Sequence, residues 1–152
     1  MRDVHVWTSD IPRRFLEILD ASNPWDIYIS SPWITEFTDS TLDLSKILST
    51  KKARTILLTR PPRKQHELKM LLGLRSKGKA RIYINPRLHA KLYIIDGPSS
   101  KYVLIGSPNL TQEARGNVEI GLMVSMNDLF TKRVIYQFLG YLKPMCRRWE
   151  PT

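Results

Sequence analysis

At 152 residues, with 42% hydrophobic and 25% charged side chains, the chain has the make-up of an ordinary globular protein and the length for one domain with a real core. Twenty-four Lys and Arg against 14 Asp and Glu leave a net charge of +10, a field that draws polyanions: nucleic acid or an anionic membrane surface. One cysteine, Cys146, excludes an intrachain disulfide and a cysteine-built zinc site, and no apolar run approaches the ~20 residues of a membrane span.

In chain order, the first ten residues lack the apolar stretch of a signal peptide, and a cytoplasmic protein is expected. Phe15, Ile18 and Leu19 recur at helical spacing over 11–21, behind Ser9 and Asp10 and with a proline in the first turn, which predicts a short helix. Asp26 to Ser30 reads as a strand that ends in Ser31-Pro32-Trp33. A weaker helix is expected over 41–48. Arg54 to Thr59 is a nearly continuous apolar run, as in a buried parallel strand. Pro61-Pro62 then breaks the chain before a helix at about 64–76. Strands follow at 80–84, 90–95 and 102–105, the last two joined across Asp96-Gly97-Pro98-Ser99-Ser100 as a hairpin. A strand over 117–124 and an amphipathic helix over 128–142 close the domain. This order gives an α/β sandwich: a mixed central sheet flanked by helices, in a single domain over residues 1–152.

Basic residues gather in four places: Lys51 to Arg54, Arg60 to Lys64, Arg75 to Arg81, and Arg147-Arg148. Any one of them alone is ordinary solvated surface; together they favour a polyanionic partner. The histidines, His5, His66 and His89, are scattered without ligand-like spacing, so no metal or other cofactor is expected.

The chemistry concentrates in residues 89–119. His89 and Lys91 stand two apart, so a strand would project them, and Tyr93, to one side. Asp96 follows Lys91 by five residues, and Gly106-Ser107 and Asn109 come at the end of the hairpin's second strand. In the next strand, alternation places Val118, Ile120 and Leu122 on an apolar face and Asn117 and Glu119 on the other. Histidine serves as nucleophile or proton donor, lysine as a fixed charge, and serine and asparagine as donors to phosphoryl oxygens. A carboxylate such as Glu119 near the histidine can orient the ring and stabilise its charged form. Taken singly, each residue has a plain explanation as surface, turn or packing; the joint pattern does not.

That pattern, H-x-K-x4-D, then G-S-x-N, then N-x-E, resembles the phospholipase D superfamily. The match is dense over Leu88 to Val124, and Ile29 to Trp33 is similar to the family's first strand end. Nine residues, Gly97 to Ile105, separate Asp96 from Gly106, more than is common in the family; the excess falls in the predicted turn, where insertion is cheap. The resemblance implies a metal-independent phosphodiesterase working through a phosphohistidine on His89. Lys91 and Asn109 would hold non-bridging oxygens, Glu119 would orient His89 with Ser107 in support, and Asp96 would be mostly structural. Because the motif occurs once, it further implies a homodimer like the small bacterial endonucleases, with both His89 side chains at a two-fold axis.

The leading expectation is a sequence-nonspecific nuclease on DNA or RNA, its backbone contacts drawn from Lys91, Asn109, Asn117 and Arg60, with Trp33 and Tyr93 as candidates for stacking on bases. Two alternatives share the motif or the fold: a lipid phosphodiesterase or phosphatidyl transferase, and a nucleic-acid-binding module without turnover. A free nuclease is hazardous to a cell, so restraint by a protein partner, a specialised substrate or low intrinsic activity is also expected.

Overall fold

The computed structural model describes residues 3–35, 43–76, 80–111, 113–125 and 128–151. Eight strands form one sheet: β1 (Asp3–Trp7), β2 (Asp26–Ser30), β3 (Arg54–Thr59), β4 (Arg81–Ile84), β5 (Leu92–Asp96), β6 (Lys101–Gly106), β7 (Gly121–Ser125) and β8 (Arg147–Arg148). Their order is β1-β7-β6-β5-β2-β3-β4-β8. Only β2, β3 and β4 run parallel; the other pairings are antiparallel. The central β3, parallel to both neighbours, is the apolar run 54–59, because a strand covered on both faces needs hydrophobic residues on both.

Helices cover the two faces. On one lie α1 (Ile11–Ala21), α2 (Leu44–Ser49) and α3 (Gln65–Ser76), which bury Phe15, Leu16, Leu19, Leu48, Met70 and Leu74 against Ile27, Ile29, Leu57, Tyr93, Ile95 and Leu104. Pro12 sits in the first turn of α1, where its fixed φ and missing N–H cost nothing. Asp43 caps α2 by accepting from the Lys46 amide at 2.9 Å. On the other face lies α4 (Asp128–Gln137), which continues through a π-helical turn, Phe138–Leu142. Phe138, Val134, Ile135 and Leu139 pack there on Tyr28, Leu58, Ile94 and Val103.

The mixed sheet flanked by helices is the architecture expected from the sequence, with five local differences. A first strand, β1, pairs antiparallel with β7 at the sheet edge, and the short β8 pairs with β4 at the other edge. Of the helix expected over 41–48, residues 41 and 42 lie outside the described residues, and α2 begins at Leu44. The strand expected over 90–95 begins at Leu92, leaving His89 and Lys91 on the segment that leads into it. The strand expected over 117–124 begins at Gly121, after a 3-10 turn at Glu113–Gly116, so Asn117 and Glu119 stand ahead of it.

Nor is the apolar side of that last segment buried. Val118 is fully exposed, and Ile120 and Leu122 are 59% and 40% exposed. Leu122 belongs to a row that crosses the sheet in register, Leu92, Ile105, Leu122 and Val6. α4 covers the neighbouring row at Ile94 and Val103 but leaves Ile105, Leu122 and Val6 open to solvent. An uncovered apolar row of this kind on a sheet face is a candidate interaction surface.

Candidate active site

Local packing decides which way residues 88–91 point. Leu88 is buried against the α4 face, and its carbonyl accepts from Arg60 Nε at 2.6 Å. The Ala90 carbonyl accepts from the buried Ser30 Oγ at 2.9 Å. Between these two anchors His89 is exposed, and Lys91 follows half-buried. Lys91 Nζ stands 3.2 Å from His89 Nε2 and 3.4 Å from Nδ1, so the ammonium donates to the imidazole edge. The two side chains meet as the strand reading required, although the strand itself starts one residue later.

Burial holds the Lys91 ammonium below its ordinary range; the charge of Glu119 pushes the other way, and that of Arg60 pushes it further down. Lys91 therefore lies within electrostatic reach of both. Glu119 accepts from Ser107 Oγ and from Asn117 Nδ2, the latter at 3.5 Å. Ser107 is fixed in turn by its own amide, which donates to the Ile120 carbonyl at 2.9 Å, and by the Ile120 amide, which donates to Ser107 Oγ at 3.0 Å. Glu119 thus reaches Ser107 and Asn117, and the His89 ring has Lys91 as its partner; the direct Glu119–His89 contact expected from the sequence is not among the hydrogen bonds of the described residues.

Asn109 lies on the loop after β6. That loop is pinned by Tyr93, whose hydroxyl donates to the Pro108 carbonyl at 2.8 Å, and by Ser31 Oγ, which accepts from the Leu110 amide at 3.0 Å. The Asn109 Oδ1 is buried without a hydrogen-bond partner, a costly position outside a working site. Tyr93 is a core residue: it is buried, its ring lies 5.0 Å from that of Phe15, and burial drives its phenol well above the usual range. It cannot stack on a base, which corrects that expectation.

Asp96 is the one member of the motif that the fold sends elsewhere. It ends β5 beside Asp26 and forms an ion pair with Lys101 at 2.6 Å across the hairpin, at the opposite end of the strand from Lys91. The longer spacing after Asp96 falls in the turn at 97–100, so it leaves the His89 end untouched.

Trp33 does approach the site, through Arg60, which lies 5.5 Å from its ring centroid. Arg63 covers the same ring at 3.7 Å and is itself held by the buried Glu67. A guanidinium stacked this closely leaves that face of the indole occupied. Arg63 was not singled out in the sequence beyond its basic cluster, and neither were Lys132 and Arg133 of α4. These last two line a groove of about 1030 Å³ together with His89, Lys91, Ser107 and Ile105. Only folding brings α4 beside the hairpin, so nothing in the residue order signals them.

Among the described residues no group of His, Cys, Asp and Glu is arranged to hold a metal ion, and no helix is long and apolar enough to cross a membrane.

Comparison with known proteins places this geometry. The structure is similar to Nuc from Salmonella typhimurium, described as a phospholipase D family member, with a TM-score of 0.77 and 16% identity over 99% of this chain and 100% of that one. NucT from Helicobacter pylori gives 0.72 and 15% over 98% and 100%. Phosphatidylserine synthase from Haemophilus influenzae gives 0.67 and 13%, over 97% of this chain and 39% of the longer one. At such identities these likenesses speak for the fold alone. No curated protein matches the sequence. The family model described as "Cardiolipin synthase, PLD-like domain" matches residues 19–140, which include the whole of the motif, and the chain therefore belongs to the phospholipase D superfamily.

Proposed function

We propose that the protein is a metal-independent phosphodiesterase, a sequence-nonspecific endonuclease on DNA or RNA, that works as a homodimer. The observation that carries this reading is the contact between an exposed His89 and Lys91 at the mouth of a groove bordered by Lys132 and Arg133. A neutral His89 nitrogen attacks phosphorus and the bond to the leaving oxygen breaks. That oxygen takes a proton from the partner's His89. The partner's His89, now neutral, takes a proton from water as the water oxygen attacks phosphorus and the phosphorus–nitrogen bond breaks. Lys91 and Asn109 hold the non-bridging oxygens, with Arg60 and Asn117 as further phosphate contacts. Ser107 and Glu119 act as positioning residues, and Trp33 stiffens the Arg60 side.

An exposed apolar row supports the homodimer. The open row Leu92, Ile105, Leu122 and Val6 begins in the groove that holds His89 and runs to the sheet edge. A two-fold partner laid across it would cover the apolar row and bring the second His89 to the first. One feature favours a lipid diester instead: the same groove is walled by Leu92, Ile105, Val134 and Leu142, as an acyl chain would require.

The test is incubation with single- and double-stranded DNA, RNA, phosphatidylcholine and an activated diester, each in excess EDTA. Cleavage of nucleic acid that persists in EDTA is expected. Abolition by EDTA overturns the mechanism. Turnover of phosphatidylcholine alone selects the lipid reading, and tight salt-sensitive binding without turnover selects a binding module.

The pH profile supplies a further prediction. Lys91 works as a cation, so kcat/KM falls as pH rises through its pKa, and that fall comes below the ordinary lysine value of 10.5. Because Glu119 raises and Arg60 lowers this pKa, Glu119→Gln moves the alkaline limb to lower pH and Arg60→Gln moves it to higher pH. Identical alkaline limbs in both variants would remove Lys91 from the phosphate.

A further inference from the structure

Three of the four basic clusters in the sequence converge on a place that plays no part in the site above. Lys52 and Arg54 enter it at the start of β3, Arg75 at the end of α3, Arg81 at the start of β4 and Arg148 from β8. They line a groove of about 1020 Å³ at the end of the sheet away from His89. Arg148 is placed there by design of the core: the buried Trp149 next to it anchors the strand, its amide donating to the Ile82 carbonyl at 2.9 Å.

Among the described residues, five cations share the groove with one carboxylate, Asp26, which Arg54 already engages at 2.8 Å. Glu150, exposed, stands 3.9 Å from Arg148 and satisfies none of the others. So many like charges around one concavity repel one another unless a polyanion occupies it.

We propose that this groove is a second site for nucleic-acid backbone phosphate, holding the strand whose scissile phosphate lies at His89; the proposal rests on the nuclease reading. The geometry suits one continuous polymer. The last helix borders both places, through Leu142 beside His89 and Leu139 beside Tyr28. β2, five residues long, separates the two ends by roughly 17 Å at ~3.3 Å per residue. Several successive phosphates of one strand span that distance. A short substrate fills only the His89 end, whereas a longer one engages both.

The experiment compares Arg81→Ser/Arg148→Ser with Arg13→Gln/Lys69→Gln, which removes the same charge from exposed positions on α1 and α3. Binding of a labelled 20-nucleotide strand and of a trinucleotide is measured in the His89→Ala background, and turnover of bis(4-nitrophenyl) phosphate with His89 intact. The groove variant should weaken 20-mer binding about tenfold or more near 0.1 M salt and reduce the slope of log K against log salt by roughly 1.5, at about 0.7–0.9 per lost phosphate contact. Trinucleotide binding and diester turnover should not change. Equal losses in the control pair, wild-type 20-mer binding, or a loss confined to ATP used as a competing polyphosphate would each overturn the site. Cleavage in EDTA alongside unaffected binding defeats the groove and leaves the phosphodiesterase standing; groove-dependent binding without cleavage does the reverse.

Discussion

A heterodimer of one wild-type chain and one His89→Ala chain, isolated through two different affinity tags, is expected to retain less than about 1% of wild-type activity on DNA rather than half of it. In the proposed mechanism one composite site needs two histidines, and each protomer brings one. With the single remaining His89 acting as nucleophile, nothing protonates the leaving 3′ or 5′ oxygen, a loss of about 10²–10⁴-fold for a poor leaving group. The His89→Ala homodimer lacks the nucleophile as well and should fall by ~10⁴-fold or more, while its affinity for DNA stays within a few-fold of wild type because Lys91 and Arg60 are intact. An activated diester separates the two roles. Nitrophenolate leaves without a proton, so the heterodimer should release a burst of one equivalent per dimer and then stall, having no second histidine to activate water. Half of wild-type activity, with no burst, would mean that each chain is a complete catalyst and would sink the shared site.

How far the residue order alone leads to this site can be judged from its parts. The elements over 11–105 are legible because each carries its own periodicity or an apolar run, and because prolines and the Asp-Gly-Pro-Ser-Ser turn separate them. β1 is not legible: Val4 and Val6 alternate with Asp3 and His5, but both stay exposed at the sheet edge, so the pattern has no core to point at. β8 is two arginines whose pairing is dictated by the burial of Trp149 next door. Strand alternation puts His89 and Lys91 together, and they do meet, though the anchors that turn them outward are Arg60 and Ser30, far away in sequence. The same alternation puts Glu119 on a strand face, but Ser107 holds it ahead of β7. The basic groove was the least accessible of all. Its cations come from elements up to ninety-six positions apart, Lys52 to Arg148, and only the strand order joins them.

Gly106→Ala is expected to be the most damaging conservative substitution outside the catalytic side chains. Gly106 pairs with Gly121 across β6 and β7, and a Cβ at position 106 would stand 2.5 Å from the Ile120 carbonyl oxygen and 2.8 Å from the Gly121 Cα. Both are backbone atoms with no rotamer to escape into. Relief requires moving Ile120, and Ile120 is what fixes Ser107 through both its amide and its carbonyl. Overpacking costs ~1–3 kcal/mol and each weakened hydrogen bond about 1 kcal/mol, so a loss of roughly 2–4 kcal/mol follows. For a chain of this length that lowers Tm by roughly 6–12 °C. Gly121→Ala is the control. Its Cβ would meet Leu104 Cδ1 at 3.0 Å and Ile11 methyls at 3.4 Å, side-chain ends that can shift, and its Tm should fall by less than half as much. Ser107→Ala then separates stability from chemistry: it forces no clash between the strands, but it strips Glu119 of its hydroxyl donor and the Ile120 amide of its acceptor, so it should cost activity at a smaller fall in Tm than Gly106→Ala. Thermal melts of the three variants, with turnover measured well below each midpoint, decide the matter. A Gly106→Ala protein that melts within about 2 °C of wild type at full activity would show that the glycine before the serine is not there to let two strands close on the site.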